Sequence, residues 1–153
     1  MERHLHRETE KLKKHLLHLS AVVEENLQRA GRAIQARDIA LAEEVIRTDR
    51  EVDQLEVDFE EECLKVLALH QPVASDLRFI IAMLKINNDL ERIDDLAVNL
   101  GKRARYIARH DLVGTPPELG EMVRKAQDMV HRVLDALINR DAALARQVCA
   151  EDE

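Results

Sequence analysis

The stretch AIQARDIALAEEVIRTD, residues 33–49, returns as ALINRDAALARQVCAED, residues 136–152, and that return decides the fold. Set against each other without a gap, the two share eight of seventeen residues. The identities are Ala33/Ala136, Arg37/Arg140, Asp38/Asp141, Ala40/Ala143, Leu41/Leu144, Ala42/Ala145, Val45/Val148 and Asp49/Asp152. Helix-rich composition by itself would give about two. A fixed offset of 103 residues reads as an internal duplication, each copy one supersecondary unit that buries its apolar face against neighbours. In both copies an Arg-Asp pair separates two helical patterns, and the first Asp, Asp38, is placed to cap the helix that follows.

The composition agrees. The chain has 153 residues, of which 46% are hydrophobic, 35% charged and only 2% aromatic, with 4 Gly, 3 Pro and no Trp. That is an all-α chain, long enough to bury one real core. The formal net charge is -7 and the sequence pI about 5.5. An acidic total excludes a broad grip on nucleic acid, which needs Lys and Arg to displace phosphate counterions. The basic run GKRARYIARH (101–110) is read as a complement to a helix C-terminus. No apolar run approaches the ~18 residues of a membrane span. The opening MERHLHRETEK has no signal-peptide core. A cytoplasmic protein without direct membrane insertion is expected. Cys63 and Cys149 form no short-spaced pair and are expected as buried or half-buried free thiols in a reducing compartment.

Outward from the repeat, the periodicity predicts a first helix from about Leu5 to Ala36, with Leu12, Leu16, Leu19, Val23 and Ala30 near heptad spacing. A second runs from the Asp38 cap to about His70, with Val45, Val52, Phe59 and Val66 each seven apart. Pro72 suits the first turn of a third helix reaching about Arg109. DLVGTPPE (111–118) breaks the chain, and Thr115, Pro116 and Glu118 read as a capping-box start for a fourth. Long helices with short connections imply antiparallel neighbours. The expected architecture is an antiparallel three-helix-bundle repeat, complete over residues 1–111, followed by the start of an incomplete second repeat over 112–153. A helix cut there is expected to leave apolar surface that something covers.

At 100° per residue, Glu91, Asp95 and Asn99 share one quarter of the third helix, whereas Asp94 points elsewhere. Ile86, Ile93, Leu96 and Leu100 take roughly the opposite side. On the second helix, Asp49, Asp53, Glu56 and Glu60 form a similar stripe. Two adjacent helices thus each carry an acid-x-x-x-acid pair, DREVD (49–53) and ERIDD (91–95), and each pair sets two carboxylates ~6 Å apart. Facing one another, they form an all-oxygen set that suits Mg²⁺, Mn²⁺ or Ca²⁺ and can hold iron. Without a cation they repel one another and some of their pKa values rise. One such pair alone reads as solvated surface; two on neighbouring helices favour a shared cation only somewhat.

A ferritin-like di-iron enzyme needs Glu-x-x-His on each of two helices. The nearest approach is Asp128-x-x-His131, without a second copy, and His15 and His18 have no acidic partner at ligand spacing. No phosphate loop, nucleophile elbow or Cys/His cluster occurs. The residues point away from an enzyme. An iron-oxidising bundle and a purely structural scaffold stay open as alternatives to a binding protein.

IRTDREVDQLE (46–56) and LHQPVASDLRFIIAMLKINNDLERIDDLAVNL (69–100), with the duplication, resemble the PhoU family of phosphate-signalling regulators. The resemblance covers nearly the whole chain, and QPVASDLR and DLERIDD are its most specific parts. It implies two three-helix repeats, each with an E(D)-x-x-x-D motif that binds multinuclear iron or other metal clusters in some members and not in others. For this chain a divalent or trivalent ion (Fe, Mn, Mg or Zn) is the expected cofactor. Carried over, the ligands are Asp49, Asp53, Glu91 and Asp95, with Asn99 as a further polar position. The implied role is negative control of phosphate uptake and of the phosphate-starvation response. It would be exerted, by a homo-oligomer such as a dimer, through contact with the phosphate transporter ATPase subunit and the sensor histidine kinase. Two departures stand out: Asp94 replaces a residue that is often small, and the second copy lacks the third-helix half of its motif.

Overall fold

The computed structural model describes residues 2–110 and 114–152. The break between the two expected repeats, at 111 and 112, lies outside the described residues. Five helices follow in order: α1 (Glu2–Ala36), α2 (Ile39–His70), α3 (Ala74–His110), α4 (Leu119–Ile138) and α5 (Ala142–Glu151). The first three form an antiparallel bundle; α4 lies along α1, and α5 folds back onto α4. Among the described residues there is no strand.

Each long helix buries a seam whose steps alternate three and four residues, the spacing that keeps one stripe facing a neighbour along the whole length. On α1 the seam is Leu12, Leu16, Leu19, Val23, Asn26, Ala30 and Ala33, all buried. On α2 it is Ala42, Val45, Asp49, Val52, Glu56, Phe59, Cys63 and Val66; its apolar members are buried and the two acids half-buried. On α3 it is Ile80, Met83, Asn87, Leu90, Asp94, Ala97, Gly101 and Ala104, every one buried. Leu12, Leu16, Phe59, Ile80, Met83 and Leu90 make one continuous core, which Leu134 of α4 joins. Burying side chains of this size contributes about 1.5–3 kcal/mol each. Toward the other end, Leu27, Ala30, Val45 and Ala97 close a smaller cluster, where small residues let the helices approach.

The expected apolar side of the third helix is therefore rotated. Leu96 is 63% exposed, while Asp94, expected to point elsewhere than the acidic stripe, sits in the seam at 1%. The reason is packing on two sides: α3 lies against both α1 and α2, so its buried stripe centres between them rather than on its most apolar residues.

The duplication is geometric as well as sequential. Arg37 and Arg140 both adopt the left-handed region, with φ 50 and 52°. Asp38 and Asp141 are extended, and their side chains accept from Leu41 N and Leu144 N, each at 3.0 Å. The amide of Asp38 donates to Ala33 O (3.0 Å) and that of Asp141 to Ala136 O (2.8 Å). A helix C-terminus, one left-handed residue and an Asp cap thus recur with the same bonds 103 residues apart, as N-capping chemistry requires.

Three details differ from expectation. Pro72 lies outside the third helix: Gln71, left-handed at φ 44°, closes α2 by donating to Leu67 O, and Pro72 is the stop after that cap. No capping box opens α4. Glu118 is helical and makes no side-chain cap bond, and Thr115, four residues before α4 begins, donates instead to Ile34 O of α1 at 3.5 Å. Cys63 is buried as expected, and burial pushes its thiol up to about 12, but Cys149 is exposed. At the end of α3, Arg105 pairs with Glu43 of α2 at 3.2 Å, so the basic run ties two helices as well as finishing one. Between α3, α4 and α5 lies an apolar groove of about 230 Å³, lined by Ile86, Leu90, Ile93, Val130, Val133 and Val148.

Candidate metal site

The acids collect where the α2 and α3 seams meet. Asn87 donates to the backbone carbonyl of Glu56 at 3.1 Å, and Gly101 rests against Ala42 and Val45. In that antiparallel register Asp94 lies level with Asp49, one layer above the Glu56–Asn87 layer. Asn26 of α1 enters the same layer and donates from Nδ2 to Asp94 Oδ1 at 2.9 Å. Asp53 and Asp95 stand exposed on the rim, with Glu91 half-buried between rim and core.

The electrostatics show that these groups feel one another. Burial, then the charges of Asp53 and Asp95, raise Asp49, against a lowering pull from Lys102. Burial, with Glu60, Asp53 and Asp95, raises Glu56. Burial, then the Asp95 charge and a hydrogen bond to Asp95, push Glu91 up to about 7, with Glu56 and Asp53 adding to it. Burial pushes Asp94 up to about 6; the Asn26 bond opposes this, and the charges of Asp49, Asp95 and Asp53 reinforce it. Like charges this close disfavour ionisation unless something positive joins them.

Two carboxylate oxygens in this layer, Asp49 Oδ1 and Asp94 Oδ2, are buried without a hydrogen-bond partner. Buried acceptors left this way are costly, on the order of 1–3 kcal/mol each. A cation is one thing that satisfies them. The donors are all oxygen, which fits Mg²⁺, Mn²⁺ or iron better than Zn²⁺, whose usual ligands are nitrogen and sulfur. Among the described residues, no three His, Cys, Asp or Glu side chains are gathered tightly enough to hold an ion as placed. Rotamer changes would have to close the set before it could hold an ion.

Of the five residues expected as ligands, Asp49, Asp53, Glu91 and Asp95 are brought to one seam. Asn99 is exposed and engages none of them. Asp94 and Asn26 were missed by the helical-wheel reading, although their place in the three-four spacing was a readable signal. Two of the histidines pair with acids. His15 meets Glu62 of α2 at 2.8 Å, an acidic partner that local spacing could not reveal because it comes from the next helix. His131 lies between Glu24 (3.3 Å) and Asp135 (3.5 Å). No helix is long and apolar enough to cross a membrane among the described residues.

Comparison with known proteins places the chain and its fold. A family model described as the PhoU domain matches residues 16–104 and 119–153. The two segments start 103 residues apart, the offset of the duplication. The phosphate-specific transport system accessory protein PhoU homolog of Aquifex aeolicus is 35% identical over 149 residues, covering 97% of this chain and 67% of that protein. The homolog of Pseudomonas aeruginosa is 37% identical over 150 residues, covering 95% and 61%. Among solved structures, PhoU from Pseudomonas aeruginosa superposes with a TM-score of 0.88 at 36% identity, covering 96% of this chain and 71% of that one. The phosphate transport system regulatory protein PhoU from Streptococcus pneumoniae gives 0.87 at 27% identity, covering 99% and 69%. The chain spans 57% of the Pseudomonas putida homolog, so it corresponds to only part of such proteins. With a duplicated helical unit, matching folds and a family match over most of its length, the chain belongs to the PhoU family.

Proposed function

We propose that this chain is a non-enzymatic adaptor that restrains phosphate uptake and the phosphate-starvation response from the cytoplasmic side of the membrane. It would do so as a homo-oligomer, a dimer in the simplest case, through contact with the transporter ATPase subunit and the sensor histidine kinase. Through the kinase it would reach transcription. The observation that supports this reading most is the twofold PhoU-domain match in the register of the duplication. The acidic α2/α3 seam supports a metal-dependent version of it. A divalent or trivalent ion held by Asp49, Asp53, Glu91 and Asp95 neutralises the charge that otherwise drives α2 and α3 apart there. It also sets the rim of Asp53 and Asp95 in one arrangement for a partner to read.

Pull-down of the purified ATPase subunit and kinase by the tagged chain, with and without Mn²⁺, tests the adaptor reading. Retention of either is expected, and stronger retention with Mn²⁺. Failure to retain both would overturn it. Paired Asp49→Ala/Asp53→Ala and Glu91→Ala/Asp95→Ala variants are expected to lose metal by elemental analysis while keeping their helical circular dichroism. Wild-type protein that takes up no Fe, Mn or Mg would remove the metal from the proposal and leave the adaptor standing.

A further inference from the structure

We propose that the cleft between α1 and α4 binds a small tetrahedral oxyanion, inorganic phosphate, between Arg32 and Arg124. Three contacts set the antiparallel register of the two helices. Gln127 of α4 donates from Nε2 to Glu24 O of α1 at 3.3 Å. A Cβ on Gly31 would meet the γ-methyls of Val123, and one on Gly120 would meet the side-chain amide of Gln35. In that register Arg32 and Arg124 fall on either side of the Gly31–Val123 contact and line one cavity of about 180 Å³. Gln28, Gln35 and Gln127 complete its polar lining. Pockets for drug-sized ligands begin at roughly 300 Å³, so this one suits a small ion.

The charge of the lining decides the class of ligand. The chain carries a net charge of -7, yet among the described residues no carboxylate lines this cavity. Other arginines of the same two helices take acids: Arg29 pairs with Glu25 at 2.6 Å and Arg132 with Glu151 at 2.6 Å. Arg32 and Arg124 take none among the described residues. Two guanidinium groups on one small cleft repel each other, and an oxyanion between them accepts charge-assisted, forked hydrogen bonds from both. Gln127 turns its amide nitrogen to Glu24 O, which leaves Oε1 to accept the proton that HPO₄²⁻ carries. No side chain caps α4, so its first turn adds positive potential at the Gly120 end. The bound ion ties α4 to α1, and it does so without any part of the acidic α2/α3 seam.

Isothermal titration of the whole chain with inorganic phosphate at constant ionic strength tests the site, and amide chemical shifts locate it. Saturable binding is expected, with the largest shifts at Gly31 and Gly120. Arg32→Gln and Arg124→Gln each remove one guanidinium from an exposed position, so the packing of the helices stays as it is. Each is expected to weaken binding about tenfold or more. Arg146→Gln removes an equal charge from α5, outside the cavity, and is expected to change affinity less than about twofold. A wild-type chain without saturable binding would overturn the assignment. Losses as large in Arg146→Gln as in the two cleft variants would do the same, by reducing the effect to general charge. O-phosphoserine serves as the second ligand. Its binding without that of inorganic phosphate would overturn the free ion as ligand and point to a phosphorylated partner instead.

Discussion

Asn26 on α1 donates to Asp94 on α3 at 2.9 Å, in the layer where α2 contributes Asp49. A polar pair inside an otherwise apolar seam contributes little net stability but is expensive to break, because removing one partner strands the other. Asn26→Ala is expected to destabilise the bundle by about 1–3 kcal/mol. Replacing both by Leu is expected to return stability to within about 1 kcal/mol of wild type, or above it. Denaturant unfolding of Asn26→Leu, Asp94→Leu and the Leu/Leu double gives the coupling. A double variant as unstable as the sum of the singles would show that the pair is not the unit described here.

The pH dependence of stability follows from the raised carboxyls. Glu91 has its pKa raised from 4.5 to about 7 in the folded chain, and Asp94 from 3.8 to about 6. A raised carboxyl pKa means that the folded state binds more protons than the unfolded one between the two values. Stability therefore falls as pH rises through that window. Metal-free protein is expected to be more stable near pH 5 than near pH 7.5, with the loss spread between about 4 and 7. Exposed pairs such as Glu8–Lys11, where Glu8 is held below 4.5 by its bond to Lys11, act with the opposite sign and only below that pH. Thermal melts at half-unit pH steps with a chelator present measure the trend. A flat profile from 5 to 7.5 would contradict the crowding of the acids.

Much of this was legible in the sequence, and the part of the acidic seam that was not has one physical cause. Val45, Val52, Phe59 and Val66 announce α2 because each is apolar and seven apart, and all are buried. The second row of the same seam, Ala42, Asp49, Glu56 and Cys63, is equally periodic but mostly polar or small. Reading by hydrophobicity alone assigns Asp49 and Glu56 to the wet side. On α3 the row Ile80, Asn87, Asp94, Gly101 is hidden in the same way. What gave the acids their place was the neighbouring helices, which no window along one helix contains. The Arg-Asp turns were readable for the contrary reason: their bonds are local, so residues 37–42 and 140–145 carry their own geometry.

Gly31 marks a close approach of α1 to α4. A Cβ added there would lie 2.8 and 2.9 Å from the two γ-methyls of Val123. Gly31→Ala gains up to about 1 kcal/mol of helix propensity. The clash opposes this with about 1–3 kcal/mol of overpacking, since a branched valine has no slack to give. A net fall in melting temperature is expected, recovered by adding Val123→Ala. A stabilised Gly31→Ala single variant would show that α4 is free to shift away from α1.

Asp95 provides the sharpest test, because its removal is expected to act in opposite directions with and without metal. Its charge is among the causes that raise Asp49, Glu56, Glu91 and Asp94 alike. Asp95→Asn relieves all four at once. As an exposed group, Asp95 acts through solvent screening, so the gain in metal-free protein at pH 7.5 is a fraction of a kcal/mol up to about 1. That corresponds to a rise in melting temperature of no more than about 2–4 °C. Mn²⁺ at 100 times its dissociation constant would add about 2.7 kcal/mol to the wild type, and less to a variant that has lost an outer ligand. The order of the two melting temperatures should therefore invert on adding Mn²⁺. An Asp95→Asn variant that melts lower than wild type in chelator would mean that Asp95 supports the helix pair directly, and that the repulsion across the seam is not what limits it.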